Sequence, residues 1–178
     1  YVSDYVPDKH FCSNIPFEDF VTIRAENTQA LYYGKNKNSI VPDLVRKFNS
    51  EGIGVVFLPR YKQDKCLVEG FNGVHIPSSG LNGLDLCYYS RAILTGAGTF
   101  SREAGVMGRC AVSFFGGEKL LSVDKEMIRR KWLFHSRDPD KIIDHVKSYD
   151  GKPTNLDRSK SVKNEVIGIL KTILHEKI

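Results

Sequence analysis

Ile93-Leu94-Thr95-Gly96-Ala97-Gly98-Thr99-Phe100-Ser101-Arg102-Glu103-Ala104-Gly105-Val106-Met107-Gly108 is the stretch on which the fold turns. The apolar run Ala92 to Leu94 reads as the end of a buried strand, Gly96-Ala97-Gly98 as a small-residue turn, and the rest as a helix stopped by Gly108. A strand that passes through a glycine turn into a helix gathers free backbone N–H groups and the positive helix end at one point. Such a point suits an anion, most often a phosphate. Glu103 follows one turn inside the helix, within reach of a sugar hydroxyl beside that phosphate. The other reading is an ordinary strand-to-helix turn whose glycines serve backbone geometry alone.

Working outward, strands and helices alternate. Asp19 to Arg24 is β-branched and alternating, a first strand that runs into the polar cluster Arg24-Ala25-Glu26-Asn27-Thr28. Ser39 is placed to cap a helix with Pro42 in its first turn; Ile40, Leu44, Val45 and Phe48 form its apolar face and Gly52 ends it. The unbroken apolar run Ile53 to Leu58 marks a central parallel strand, and it ends in Pro59-Arg60-Tyr61-Lys62-Gln63. Cys66 to Val68 and Val74 to Ile76 read as short strands or edge segments, and Asn82-Gly83 opens a short helix through Tyr88.

Arg91 to Thr95 is the strand before the glycine turn, and Cys110 to Phe115 is the strand after its helix. The latter ends in Gly116-Gly117-Glu118-Lys119, ahead of a helix expected to be capped by Ser122. Trp132 to His135 reads as a weaker strand. Asp138 and Pro139 then start a helix whose Ile142, Ile143 and Val146 face inward. Residues 1–19 read as a linker or lead-in, 20–157 as the domain, and 158–178 as an amphipathic helix with Val162, Val166, Ile169, Leu170, Ile173 and Leu174 on one side. That helix is expected to pack on its own sheet or toward a second domain.

This alternation predicts an α/β, Rossmann-like fold of three layers, a parallel sheet with helices on both faces. In open α/β sheets ligands bind beyond the carboxyl ends of the strands, where Arg24–Asn27, Arg60–Gln63, Gly96–Thr99 and Gly116–Lys119 all fall.

The totals narrow the classes. At 178 residues, with 41% hydrophobic and 26% charged content, the chain suits one globular domain. No apolar run approaches the roughly 20 residues of a membrane helix. No secretory leader is visible, so a cytoplasmic protein is expected. The first residue is Tyr1 rather than Met, which suggests a truncated domain. The four cysteines lie far apart and the five histidines lack ligand spacing, so neither disulfides nor a metal are expected. The net charge of +5 is concentrated in the second half, where seventeen Lys/Arg face eleven Asp/Glu, against nine and ten in residues 1–89. The basic residues are dispersed and no aromatic stacking motif accompanies them, which favours a small phosphorylated ligand over nucleic acid.

The clusters in this order resemble the C-terminal half of a GT-B protein. The block Leu94 to Thr99 with Arg102-Glu103-Ala104, then Ser113-Phe114-Phe115 and Lys119 to Lys125, resembles a glycosyltransferase-like family known as domain of unknown function 354. Leu58-Pro59-Arg60-Tyr61-Lys62 belongs to the same resemblance, which covers roughly residues 20–147. More distantly the chain is similar to the non-hydrolysing UDP-N-acetylglucosamine 2-epimerases. Their His-Arg-x-Glu-Asn motif falls on Ile23-Arg24-Ala25-Glu26-Asn27, their Ser-Gly-Gly turn on Ala97-Gly98-Thr99, and their ribose-binding glutamate on Glu103. Ile23 in place of the histidine and Ala97 in place of the serine weigh against epimerase chemistry.

The resemblance implies a site for UDP or another nucleoside diphosphate sugar, with no separate cofactor. It places Arg24 and the Gly98 and Thr99 amides at the diphosphate and Glu103 at the ribose; from their places at the strand ends, Arg60, Gly96, Ala97 and Ser101 are further candidates for the phosphates, and Glu26, Asn27, Glu118 and Lys119 for the sugar. The catalytic residues are not named by it, because one half of a GT-B enzyme holds the donor and a missing N-terminal Rossmann-like domain would complete the cleft. Two other readings stand beside it. One is an NAD(P)-binding oxidoreductase domain, in which Gly96 to Ser101 approximates Gly-x-Gly-x-x-Gly and Glu118 is the ribose-binding acid. The other is a non-catalytic oligomerisation module built on the last helix. Tyr32-Tyr33, Tyr88-Tyr89 and Trp132 are candidates for stacking on a base or sugar, although such residues are more often packing.

Overall fold

The computed structural model describes residues 2–29, 38–96, 98–152 and 156–175. Six parallel strands form one sheet in the order β3-β2-β1-β4-β5-β6. These are β1 (Phe20–Arg24), β2 (Gly54–Leu58), β3 (Val74–His75), β4 (Ala92–Thr95), β5 (Cys110–Ser113) and β6 (Phe134–His135). Helices α1 (Val41–Ser50), α2 (Gly83–Tyr89), α3 (Thr99–Val106), α4 (Ser122–Arg129) and α5 (Pro139–Ser148) connect or follow the strands, and α6 (Leu156–His175) closes the described chain. The expected α/β, Rossmann-like, three-layer architecture is the one observed.

The period-2 alternation of the strands builds two cores. Val21 and Ile23 of β1, Val55 and Phe57 of β2, and Leu94 of β4 share one core with Leu44, Val45 and Phe48 of α1 and Ile142 and Val146 of α5. Phe20, Val56, Ile93 and Ala111 pack on the other side with Leu86 of α2, Phe100 and Ala104 of α3, and Met127 of α4. Thr22 also alternates to that second side, where its Oγ1 lies 2.7 Å from the Ser90 hydroxyl.

Helix starts follow their side chains in two cases. Asn82 Oδ1 accepts from the Leu84 amide at 2.9 Å, and Asp138 Oδ1 accepts from the Asp140 amide at 3.0 Å. The start of α1 is shared: Ser39 Oγ accepts from Val41 N at 3.2 Å and Glu26 Oε1 from Ile40 N at 3.3 Å. At α4 the expectation is corrected. Ser122 is the first helical residue, Leu121 takes the cap position, and no side chain caps that turn.

Three further segments differ from expectation. Cys66 to Val68 is not a strand but the end of a 3-10 helix, Lys62–Val68, closed by hydrogen bonds local to the segment. Residues 1–19 form more than a lead-in: Val2, Phe11 and Ile15 are buried in the second core, and the Tyr5 hydroxyl donates to Asp85 at 2.7 Å. Helix α6 meets the rest of the chain mainly at its first part rather than along its apolar stripe. Val162, Val166, Ile169, Leu170 and Ile173 are exposed, and α6 meets the turn Val2–Asp4 instead, where Lys163 pairs with Asp4. Leu156, the first residue of α6, packs on the second core, and the sheet faces are otherwise covered by α1 to α5 and the lead-in.

Candidate nucleotide site

Strand order reverses direction between β1 and β4, and the carboxyl ends of these neighbours open the crevice where open α/β sheets bind ligands. The two ends approach very closely. Gly96 N donates to Arg24 O at 3.3 Å, and a Cβ on Gly96 would lie 2.6 Å from Glu26 Cα. Only glycine fits there. Gly98 then takes φ 105° and ψ −168°, a conformation that L side chains rarely adopt, and starts α3 with no side-chain cap. The first amides of α3 are thus left to whatever fills the space above them.

Two cavities, each about 330 Å³, flank this turn and share Thr99. The first is walled by Arg24, Leu58, Leu81, Gly83, Phe100 and Glu103. Among the described residues neither the Arg24 guanidinium nor the Glu103 carboxylate has a hydrogen bond or ion pair, so one cavity presents both a cation and an acceptor. The second holds Arg60, Gly98, Arg102, Lys119, Leu121 and Asp124. Arg60 is held there by its own loop. Its amide and that of Tyr61 donate to Asp64 Oδ2 at 2.8 and 2.9 Å, and its Nε donates to Ala25 O at 2.8 Å. A Cβ on Gly98 would sit 4.0 Å from Arg60 Nη2, which puts the guanidinium over the glycine turn. Arg102 and Asp124 form a two-pronged pair at 2.8 and 3.2 Å that ties the first turn of α3 to that of α4.

The fold therefore brings Arg24, Arg60, Gly98, Thr99, Glu103 and Lys119 to one crevice, while Gly96 is buried beneath it against Glu26 and lines neither cavity. Ser101 is nearby but buried, and its hydroxyl donates to Gly98 O at 3.4 Å. Ala97 and the Tyr32-Tyr33 pair lie outside the described residues. Glu26 lines neither cavity. It is buried, accepts from Ser39 Oγ at 2.5 Å, and lies 3.5 Å from Arg137 Nη1. Asn27 accepts from the Tyr61 hydroxyl at 2.6 Å, and Glu118 is exposed outside both cavities. Tyr88 carries Arg109 over its ring at 4.3 Å, and Trp132 packs with the second core, both away from this crevice. Leu81 and Gly83 were not singled out as site residues from sequence. Leu81 lies in the loop between β3 and α2 and Gly83 is the first residue of α2, so both stand at a carboxyl-end connection, which is the signal that would have found them.

Chemically, the crevice can hold an anion on uncapped amides among Arg24, Arg60 and Lys119, with the Glu103 carboxylate set to the side and Arg102 already paired with Asp124. The buried thiols take no part: Cys87 is in the core and burial pushes the Cys110 thiol up to about 12. Among the described residues no helix is long and apolar enough to cross a membrane.

The family model described as "Protein of unknown function (DUF354)" matches residues 9–175. The chain belongs to this family. A relative, "Uncharacterized protein MJ0665" of Methanocaldococcus jannaschii, is 29% identical over 121 residues, 67% of this chain and 35% of that one. UDP-GlcNAc 2-epimerase from Methanocaldococcus jannaschii shares the fold with a TM-score of 0.57 at 16% identity, over 88% of this chain and 48% of the epimerase. The same organism's epimerase in complex with UDP-GlcNAc and UDP gives 0.55 at 16% identity, over 88% and 47%. This DUF354 chain thus spans about half the length of the epimerases, and its fold is GT-B-like.

Proposed function

We propose that this chain is the donor-binding half of an enzyme that transfers a sugar from a nucleoside diphosphate, with UDP as the favoured nucleotide. The single observation that carries the reading is the pair of cavities meeting at Thr99, on the uncapped start of α3. One side offers Glu103 and Arg24 among apolar walls, as a nucleoside needs; the other offers Arg60 and Lys119, as phosphates and sugar hydroxyls need. The diphosphate would lie across the Gly98, Thr99 and Ser101 amides. There the helix end and the Arg60 and Arg24 cations stabilise the charge that grows on it as the sugar leaves. A solved structure with this fold that holds UDP-GlcNAc and UDP supports the choice of ligand.

Epimerase chemistry is the less favoured form of the reading. Ile23, which stands where the resembling motif has histidine, is fully buried in the core and has no proton to exchange. The dinucleotide reading is weakened by topology, because its glycine fingerprint belongs after β1, and here Arg24 occupies that turn while the glycines follow β4. The acceptor and the remaining catalytic groups are assigned to a preceding Rossmann-like half. The exposed apolar side of α6, beside Val2–Asp4, is the surface we assign to contact with it.

Calorimetric titration with UDP, UDP-GlcNAc, other nucleoside diphosphates and NADH tests this. Binding of a nucleoside diphosphate, weakened by roughly 1–3 kcal/mol in a folded Glu103→Ala variant, is the expected result. Binding of NADH alone, or a UDP affinity indifferent to Glu103→Ala, overturns it.

A further inference from the structure

A third cavity, about 440 Å³, lies away from the nucleotide crevice and shares no residue with it. It is enclosed by the last turn of α4, the edge strand β6 and the last turn of α5. Its apolar wall is Ile128, Leu133 and Phe134; its polar side carries Lys131, Lys152, His135 and His145, with Asp150 as the one acid. The His145 ring stacks on Phe134 with centroids 4.1 Å apart and an interplanar angle of 14°. Among the described residues neither lysine ammonium has a hydrogen bond or ion pair, and Lys152 is tethered only through its backbone, N to Gly108 O at 3.3 Å.

Lys131 is the second and independent pointer. Three helices of this chain end in the same hydrogen-bonded cap. After α1, Gly52 N bonds Asn49 O and Ile53 N bonds Phe48 O; after α3, Gly108 N bonds Gly105 O and Arg109 N bonds Ala104 O. After α4, Lys131 N bonds Ile128 O and Trp132 N bonds Met127 O. The first two caps place glycine at the left-handed position, φ 73° and 68°, whereas the third places Lys131 there at φ 59°. Among the described residues it is the only non-glycine with positive φ. A lysine thus stands where glycine is the easier residue, and its side chain reaches the cavity.

We propose that this cavity is a second ligand site, for a small organic phosphate whose charge lies between Lys131 and Lys152 and whose carbon portion packs on Leu133 and Phe134. The imidazole of His145 adds an N–H donor that a phosphate oxygen can use, and protonation of His135 at its buried, unpartnered Nδ1 would add a second. The assignment does not depend on the nucleotide reading.

The test is an NMR titration of the imidazole signals of His135 and His145 in the 178-residue chain with phenyl phosphate, inorganic phosphate, benzoate and UDP. The expected result is that phenyl phosphate moves both histidines, binds at least fivefold more tightly than inorganic phosphate or benzoate, and raises both imidazole pKa values. Lys131→Gly weakens it at least fivefold with an unchanged or higher Tm, which separates loss of a ligand group from loss of the fold. Lys152→Ala weakens it similarly. Benzoate binding as well as phenyl phosphate would replace the phosphate by a carboxylate and overturn the ligand class. Histidine signals unmoved at 20 mM phenyl phosphate, or an indifferent Lys131→Gly, would overturn the site itself; UDP competing for the same signals would overturn its independence from the nucleotide reading.

Discussion

Gly96 and Glu26 touch so closely that a Cβ on the glycine would lie 2.4 Å from Glu26 Cγ and 2.6 Å from its Cα. The ends of β4 and β1 are pressed together at the mouth of the crevice, and the backbone of Glu26 cannot yield as a flexible side-chain tip would. Gly96→Ala is therefore expected to destabilise by at least about 2 kcal/mol, within the range for overpacking a filled interior. Thermal unfolding measures it directly, and a Tm within a degree of the parent would show that the strand ends can part.

Glu26 itself is expected to act on stability and not on ligand affinity. Its carboxylate joins Ser39, the Ile40 amide and Arg137, so it ties β1 to the start of α1 and to the segment after β6. Glu26→Gln keeps the shape and loses the charge, with an expected destabilisation of about 1–3 kcal/mol. UDP titration of the folded fraction is expected to match the parent. A tenfold weaker affinity with unchanged Tm would return Glu26 to the sugar contacts suggested by its motif.

The two glycines that border the first cavity and the turn should behave oppositely. Gly98 has φ 105°, so Gly98→Ala is expected to cost about 1–3 kcal/mol and to disturb the first amides of α3. Gly83 has ordinary dihedrals and a Cβ there meets only Phe100 at 3.7 Å, so Gly83→Ala should keep or raise Tm. Both are expected to lower UDP affinity, the first by misplacing amides and the second by narrowing the nucleoside cavity. An unaltered affinity in Gly83→Ala would remove the nucleoside from that cavity.

Arg102 and Asp124 offer a double-mutant cycle across the second cavity. Both side chains are mostly buried and their contact is two-pronged, so Arg102→Gln and Asp124→Asn should couple by about 1 kcal/mol or more in unfolding free energy. Additive losses would mean that α3 and α4 are held together by other contacts.

Much of this was readable from local pattern, and the unread remainder has a physical source. β-branched apolar runs such as Ile53 to Leu58 and short polar caps such as Asn82 and Asp138 act within a few residues, so their elements follow from the sequence directly. Cys66 to Val68 looked like a strand because three residues cannot separate period 2 from a 3-10 turn. Ser122 was misread as a cap for the same reason of length, since a shift of one residue moves it inside α4. The convergence of Arg24, Arg60 and Glu103 on the carboxyl edge was readable once parallel order was inferred. The capture of Glu26 by Arg137, 111 positions along the chain, was not, because the pairing is set by how β1 lies against the segment after β6. The exposure of α6 is likewise invisible to periodicity: an apolar stripe says that a helix seeks a partner but does not say which.

Stability should also fall on mild acidification. Burial holds the His135 and His145 imidazoles below the ordinary histidine value, and the nearby Lys152 charge lowers His145 further. The unfolded chain, with ordinary histidines near 6.5, then binds more protons than the folded one as pH drops past that value. The stabilisation is therefore complete above about pH 7 and is lost as pH falls through 6.5 toward the depressed folded values. Asp4 and Glu126, each held near 2 by its cationic partners, contribute stability that is present above the usual carboxylate range and is lost only below about pH 5, which leaves this window clear. A Tm series from pH 7.5 to 5 in a phosphate-free buffer should show the decline, and His145→Phe, which preserves the stack on Phe134, should flatten it. A Tm constant over that range would show that both rings take up protons in the folded chain as easily as in water.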